Sequence, residues 1–252
     1  MYSINLATNK LTGTIPNFFD KLPNLYNFNV GLNSLSGAIP YSFNAHPSLT
    51  ELSIFANLLY GTIPFDFGTL PSLEILEAWN NLLSGTIPSS LGRCANCKIL
   101  ILGENRNIVG TIPSSLGGLS RLEILGLWDM GLNGTIPPEM FQIDTLMAVG
   151  LGGNQLTGTI PSTIGYPGHT LRGLALENNY LHGTIPSSVG ELRALEWIFV
   201  HSNLLTGTIP SEIGVSMNMR VIDVAVNNLN GTVPKEIADL AKLGENIFYS
   251  YI

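Results

Sequence analysis

Charged residues are scarce in this chain: Asp, Glu, Lys and Arg together make up 12% of its 252 residues, about half the usual share of roughly a quarter. Basic residues are the scarcer kind, and the formal net charge is −7. A nucleic-acid-binding protein needs a basic surface to displace counterions from phosphates, so this composition argues against nucleic acid as a partner. It favours basic or uncharged partners.

Long apolar runs are also missing. No segment approaches the roughly 18 consecutive apolar residues of a membrane span, and residues 1–10 lack the charged and then apolar regions of a secretory signal. We therefore predict no membrane segment in this chain.

Cysteine is nearly absent, with only Cys94 and Cys97, which are too few for a disulfide framework. Their CxxC spacing would permit redox or metal chemistry, but no second cysteine pair or histidine cluster accompanies it. Cys97 falls on an apolar position of the repeat described below, so we interpret both cysteines as core residues. We find no Ser-His-Asp order, phosphate loop or paired carboxylates, and we expect no metal, no cofactor and no catalysis.

What the chain has in abundance is one repeated unit. GTIP, GAIP or GTVP occurs ten times between Gly13 and Gly231, at intervals of 24 or 25 residues. An asparagine precedes the glycine by four positions in eight units; the fifth unit carries Asn105 with one residue inserted after it, and the sixth has Met130 instead. The unit is LxxLxLxxNxLxGTIPxxLxxL, and such a period indicates a solenoid.

Each part of the unit has a physical role. The LxL alternation predicts a short strand with one face buried, and the asparagine amide can bond backbone groups that no strand ladder satisfies. Glycine permits a backbone conformation closed to other residues, the isoleucine (Ile15 and its equivalents) fills the core, and proline stops the strand. One turn cannot bury its own leucines, so we expect the turns to stack, with 3-10 turns such as residues 114–119 on the convex side.

The unit resembles the plant-type leucine-rich repeat, found in receptor-kinase and receptor-like-protein ectodomains, polygalacturonase-inhibiting proteins and similar protist proteins. The resemblance implies an α/β horseshoe: a right-handed solenoid of about ten repeats with a parallel sheet on the concave face and extra short strands on the GxIP side. It also implies an extracellular or cell-surface location. We expect a single solenoid domain over residues 1–243 and a degenerate tail over 244–252. The flanking caps of the family are missing, which suggests an interior piece of a longer protein.

The candidate binding site follows from the alternation, because the side chains between the buried leucines face the hollow of the sheet. Large aromatic side chains are enriched there, as they are in interfaces, and Ala148, Gly150, Gly152, Gly173 and Ala175 predict a shallow floor between two tryptophan walls, Trp128 and Trp197. The alternative is that the aromatics only cover the sheet. The candidate ligand-binding residues are Phe55, Glu77, Trp79, Trp128, Asp129, Gly150, Gly152, Glu177, Trp197, Phe199, His201 and Asp223.

The function that these features favour is recognition of a peptide or protein ligand, basic or uncharged, by the ligand-sensing part of a cell-surface receptor or by a secreted protein. The alternatives are a glycan- or wall-enzyme-binding protein of the inhibitor type, an ice-binding solenoid that uses its threonines, and a structural spacer. Asn133 and Asn230 begin N-glycosylation sequons, which arise readily wherever asparagine precedes Gly-Thr.

Overall fold

The computed structural model describes residues 2–44, 46–166 and 170–240. Its main element is a ten-stranded sheet in which every strand pairs in parallel with the corresponding strand of the next repeat. Leucines in register, such as Leu52, Leu76 and Leu100, lie side by side and are at most 1% exposed. This confirms the stacked solenoid. The ten strands are Tyr2–Asn5, Leu25–Asn29, Glu51–Ser53, Ile75–Glu77, Ile99–Ile101, Ile124–Gly126, Ala148–Gly150, Gly173–Ala175, Trp197–Phe199 and Val221–Asp223.

A second set of short strands leads into or spans the Gly-Thr dipeptides, as the resemblance implied, and forms a seven-stranded and a three-stranded parallel sheet. The repeated glycines have φ between 73° and 89°, the left-handed region that glycine enters at no steric cost. The strands of the seven-stranded sheet are Thr12–Thr14, Ser34–Ala38, Leu58–Thr62, Leu82–Gly85, Asn107–Thr111, Gly131–Thr135 and Gln155–Thr157. Those of the three-stranded sheet are His182–Gly183, Leu204–Gly207 and Asn228–Leu229.

The convex side consists of 3-10 turns, and no α-helix occurs in the described residues. Most of these turns begin directly after the proline of the GTIP unit, which cannot continue a strand. The predicted turn at 114–119 is observed as Ser114–Gly118. The turns are Phe19–Lys21, Tyr41–Phe43, Phe65–Thr69, Ser89–Arg93, Ser114–Gly118, Pro138–Gln142, Ser162–Gly165, Ser187–Glu191, Ser211–Val215 and Lys235–Asp239.

The repeated asparagines form a hydrogen-bonded ladder through the interior. Asn57, 6% exposed, donates its side-chain amide to the carbonyls of Val30, Ile54 and Phe55 at 3.0, 3.2 and 3.0 Å. Its Oδ1 accepts the backbone N–H of Leu35 at 2.9 Å. One amide thus satisfies groups of its own turn and of the preceding one, as the sequence indicated.

The residue inserted after Asn105 in the fifth unit compensates for the missing asparagine at Met130 in the sixth. An asparagine at position 130 would accept the N–H of Ile108, by analogy with Asn154 and the N–H of Leu132. Met130 cannot, and it is a buried apolar residue instead. The residue inserted after Asn105 lets the N–H of Ile108 donate to the Asn105 carbonyl at 2.9 Å. The insertion therefore supplies the acceptor that the methionine removes.

The core is complete in the middle of the stack and opens toward the last described turn. The isoleucines from Ile15 to Ile185 in the GTIP position are buried, but Ile209 is only half-buried and Val233 is 76% exposed. The prediction that all ten fill the core is therefore wrong for Val233, which lies in the last GTIP unit of the described residues. The predicted tail at 244–252 lies outside the described residues.

Candidate functional site

A groove with a volume of about 630 Å³ crosses the exposed face of the ten-stranded sheet between Trp79 and Phe199. It lies over strands of the fourth to ninth units. Eight of the twelve residues predicted from the sequence line it, namely Glu77, Trp79, Trp128, Asp129, Gly150, Gly152, Glu177 and Phe199. The structure therefore brings most of the predicted residues to one place.

The large side chains of this face lean over glycines of the preceding unit. A Cβ atom added to Gly31 would lie 2.5 Å from the Phe55 ring, and one added to Gly103 would lie 2.7 Å from the Trp128 ring. No real Cβ contact is that short, so these glycines provide the space for the rings. A large side chain on this face can therefore follow a glycine of the preceding unit.

The predicted floor and one predicted wall need correction. Trp197 lies over Gly173, where a Cβ would come within 1.8 Å of its ring, and it stacks on Phe199 with a centroid distance of 5.4 Å. Only 7% of Trp197 is exposed, so it fills the space predicted to be open, and Phe199 forms the wall. Gly152 is likewise covered in part by the Glu177 carboxylate.

Three other predicted residues lie outside the groove: Phe55, His201 and Asp223. Phe55 stacks against Trp79 with nearly parallel rings 4.8 Å apart, so it packs against a residue of the groove lining without lining the groove itself. His201 is half-buried and contacts the Ser202 hydroxyl through Nδ1 at 3.2 Å.

The apolar side of the groove contains residues that the sequence reasoning did not select. Ile99, Ile101 and Ile124 line it beside Gly150 and Ala175, and all five lie within the strands. Isoleucine side chains occupy outward positions where a solvated sheet would carry polar ones. An unbroken run such as Ile99–Leu100–Ile101, apolar on both faces, was the available signal.

Three carboxylates of the groove belong to residues that follow the strands: Glu104, Asp129 and Glu177. A fourth, Glu77, lies at the end of its strand. Glu104 accepts the indole N–H of Trp128 at 3.3 Å. Burial raises the pKa of Glu177, and the nearby charges of Asp129 and Asp223 add to that effect while His201 opposes it. The ion pairs found in the described residues lie elsewhere, between Lys98 and Glu74 and between Glu196 and both Arg172 and Arg220.

Within the described residues, no group of three or more potential metal ligands is present. Cys94 and Cys97 are free thiols, both buried in the core, which agrees with their interpretation as core residues. The groove presents an apolar surface and a row of carboxylates, and both are suited to binding a ligand.

Comparison with known proteins finds the same repeat and the same fold in leucine-rich repeat proteins. A family model described as Leucine Rich Repeat matches residues 72–94. The Arabidopsis receptor kinase HAESA, solved with the peptide hormone IDA and the co-receptor SERK1, is 36% identical with a TM-score of 0.92 over 96% of this chain and 41% of that one. The chain has a leucine-rich repeat fold, and its repeats resemble those of plant receptor kinases.

Two further solved structures are similar to this leucine-rich repeat protein. The plant peptide hormone receptor RGFR1, in complex with RGF2, is 34% identical with a TM-score of 0.81 over 96% of this chain and 42% of that one. A plant ice-binding protein is 28% identical with a TM-score of 0.81 over 89% and 72%. A comparison with curated protein sequences gave no match.

This leucine-rich repeat protein spans about two fifths of the receptor chains that it matches. In the part of the chain that the structure describes, no helix has the length and apolar character needed to cross a membrane.

Proposed function

We propose that this leucine-rich repeat protein is a non-catalytic recognition module, extracellular or on the cell surface, that binds a peptide or protein segment in the groove of the ten-stranded sheet. The observation that carries the proposal is the groove itself, with isoleucines and tryptophans on its walls and carboxylates along one side. The similar structures of HAESA and RGFR1 hold peptide hormones, which supports a peptide as the ligand here.

The expected ligand is basic. None of the ion pairs in the described residues uses the groove carboxylates, so a cationic ligand would find them uncompensated. Complementary charge of this kind speeds encounter and is weakened by salt. A ligand that binds here should therefore associate more slowly as the ionic strength rises.

The test begins with peptides selected from a random library on the purified chain. Trp128→Ala removes a ring from the wall of the groove and should weaken their binding at least about tenfold, since buried aromatic anchors dominate interface energetics. Tyr60→Ala is the matched control, because Tyr60 is 56% exposed on the seven-stranded sheet. Equal affinity of parent and Trp128→Ala, with both folded by circular dichroism, would remove the groove as the site.

The threonine row supports ice binding as a second candidate. The row consists of the threonines that follow the repeated glycines, and all of them are exposed. They recur at intervals of one unit, roughly 4.8 Å, except where Ala38 interrupts the row between Thr14 and Thr62. The likeness to a plant ice-binding protein favours this candidate. The row comprises Thr14, Thr62, Thr86, Thr111, Thr135, Thr159, Thr184, Thr208 and Thr232.

Thermal hysteresis of the purified chain tests this candidate. Replacing Thr86, Thr111 and Thr135 by lysine should abolish any hysteresis, whereas Trp128→Ala should leave it intact. A parent chain without hysteresis would eliminate ice binding.

We also propose Asn133 and Asn230 as glycosylation acceptors, since both side chains are exposed. Asn133 lies two residues before Thr135 on the same strand, so a glycan there would cover part of the threonine row. Secretion from eukaryotic cells should add glycan mass that Asn133→Gln and Asn230→Gln remove; an unglycosylated secreted parent would disprove the proposal.

A further inference from the structure

The two sides of the groove differ in chemistry, and the difference runs parallel to the stack. The apolar strip, Ile99, Ile101, Ile124, Gly150 and Ala175, lies within the strands. The acidic strip, Glu104, Asp129 and Glu177, lies in the residues that follow them. Because all strands are parallel and in register, the two strips run side by side along the stack. Glu77, which pairs with Ile101, ends the apolar strip on one side. Gly152 and Gly153 separate Asp129 from Glu177 in the acidic strip.

The length of the acidic strip sets the size of the ligand segment. Glu104 and Glu177 follow strands that are three spacings apart in the sheet, which is roughly 14 Å at ~4.8 Å per strand. An extended peptide rises ~3.3 Å per residue, so about four residues lie between the ends of the strip.

An extended segment that lies along the groove would present its side chains to the two strips in turn. Successive side chains of an extended chain point to opposite sides. One set would then contact the isoleucines, and the other set would contact the carboxylates. Long lysine or arginine side chains can adjust to carboxylates that are one or two strand spacings apart.

The acidic strip has unused capacity to accept hydrogen bonds. Among the described residues, Oε2 of Glu177 is shielded from solvent and has no hydrogen-bond partner. Asp129 is exposed and forms none of the ion pairs found in the described chain. A ligand cation would supply the partner that these carboxylates lack, because charge-assisted hydrogen bonds are among the strong ones.

We propose that the groove selects an extended segment in which apolar and basic residues alternate over about four positions. This proposal rests on the proposed function, and it adds the sequence pattern that the ligand must carry. A segment with the same residues in two blocks would place a base against the isoleucines or an apolar side chain against the carboxylates. Either placement leaves a desolvated charge without a partner.

The decisive comparison uses two capped octapeptides of identical composition, one with Leu and Lys alternating and one with four Leu followed by four Lys. Calorimetry on the full chain should give the alternating peptide at least about tenfold higher affinity. Equal or tighter binding of the block peptide would overturn the alternation, and so would failure of both peptides to bind.

Variants separate this inference from the proposed function. Asp129→Asn and Glu177→Gln should each weaken the alternating peptide several-fold, whereas Glu139→Gln, which removes one charge from the convex turn Pro138–Gln142, should change it less than twofold. If the two octapeptides bind equally and Trp128→Ala weakens both, the groove is supported as the ligand site and the alternating ligand pattern is contradicted. If Trp128→Ala leaves the affinity of both octapeptides unchanged, the groove is contradicted as the ligand site, and the alternating pattern with it.

Discussion

The ten-stranded sheet and the seven-stranded sheet come from the same repeats, yet their exposed faces differ. On the seven-stranded sheet, threonine recurs after the repeated glycine in almost every unit, and the glycine leaves space for a threonine methyl of the preceding unit, as Gly134 does for Thr111. On the ten-stranded sheet, the exposed position two residues before the ladder asparagine varies, and it holds tryptophan, glycine, glutamate or histidine in different units. A position that every unit must share serves stacking, whereas one that varies is available for a ligand.

The largest effect should follow from breaking what both sheets share. Asn57→Ala would leave the buried N–H of Leu35 without its acceptor, which costs roughly 1–3 kcal/mol. It would also remove three hydrogen bonds to carbonyls that each keep a second donor, at roughly 0.5–1.5 kcal/mol each. We expect a loss of at least about 3 kcal/mol in the free energy of unfolding, measured with urea. Asn9→Ala is the control, since Asn9 is exposed and bonds only two carbonyls of its own turn; equal losses would contradict the ladder.

A glycine from each sheet sharpens the comparison. Gly134 has φ 73°, and a Cβ there would lie 2.9 Å from the Thr111 methyl. Gly134→Ala should therefore cost roughly 1–3 kcal/mol. Gly150 lies outside the left-handed region, in a row where Ala175 already carries a Cβ, so Gly150→Ala should cost under about 1 kcal/mol. The reverse order of the two urea midpoints would contradict the distinction between stacking and ligand-facing glycines.

The smallest effect concerns the charge at Glu177. Burial raises the pKa of its carboxyl, so folding favours the protonated form, and this contribution is present below the ordinary glutamate pKa and lost as the pH rises through the raised value. Glu177→Gln stays neutral and should melt at a higher temperature than the parent at pH 7. The two should melt alike near pH 3.5. A parent that is the more stable at pH 7 would contradict the stated burial.

The sequence predicted the stacked strands, the asparagine ladder and the glycine conformation, because each depends on residues that recur at fixed spacing. It also selected most of the groove residues through period-two alternation. It did not predict that large side chains lean over glycines of the preceding unit, so Trp197 was wrongly placed as a wall and Gly173 as open floor. Side-chain direction between strands depends on packing, which alternation along one strand does not report.

Left-handed backbone at the residue before the ladder asparagine was also missed. Leu32 and Val226 have φ of 56° and 51° there, although neither residue type favours that region. The stacking of neighbouring units overrides local preference at this position, and a single unit gives no sign of it.

The central claim is that the groove of the ten-stranded sheet is the ligand site, and Gly150→Leu tests it most directly. This substitution fills the floor of the groove at a row where Ile101 and Phe199 already carry large side chains. We predict a melting temperature close to that of the parent and binding of library-selected peptides at least about tenfold weaker, a loss of roughly 1.4 kcal/mol. Undiminished peptide affinity in a folded Gly150→Leu chain would contradict the account.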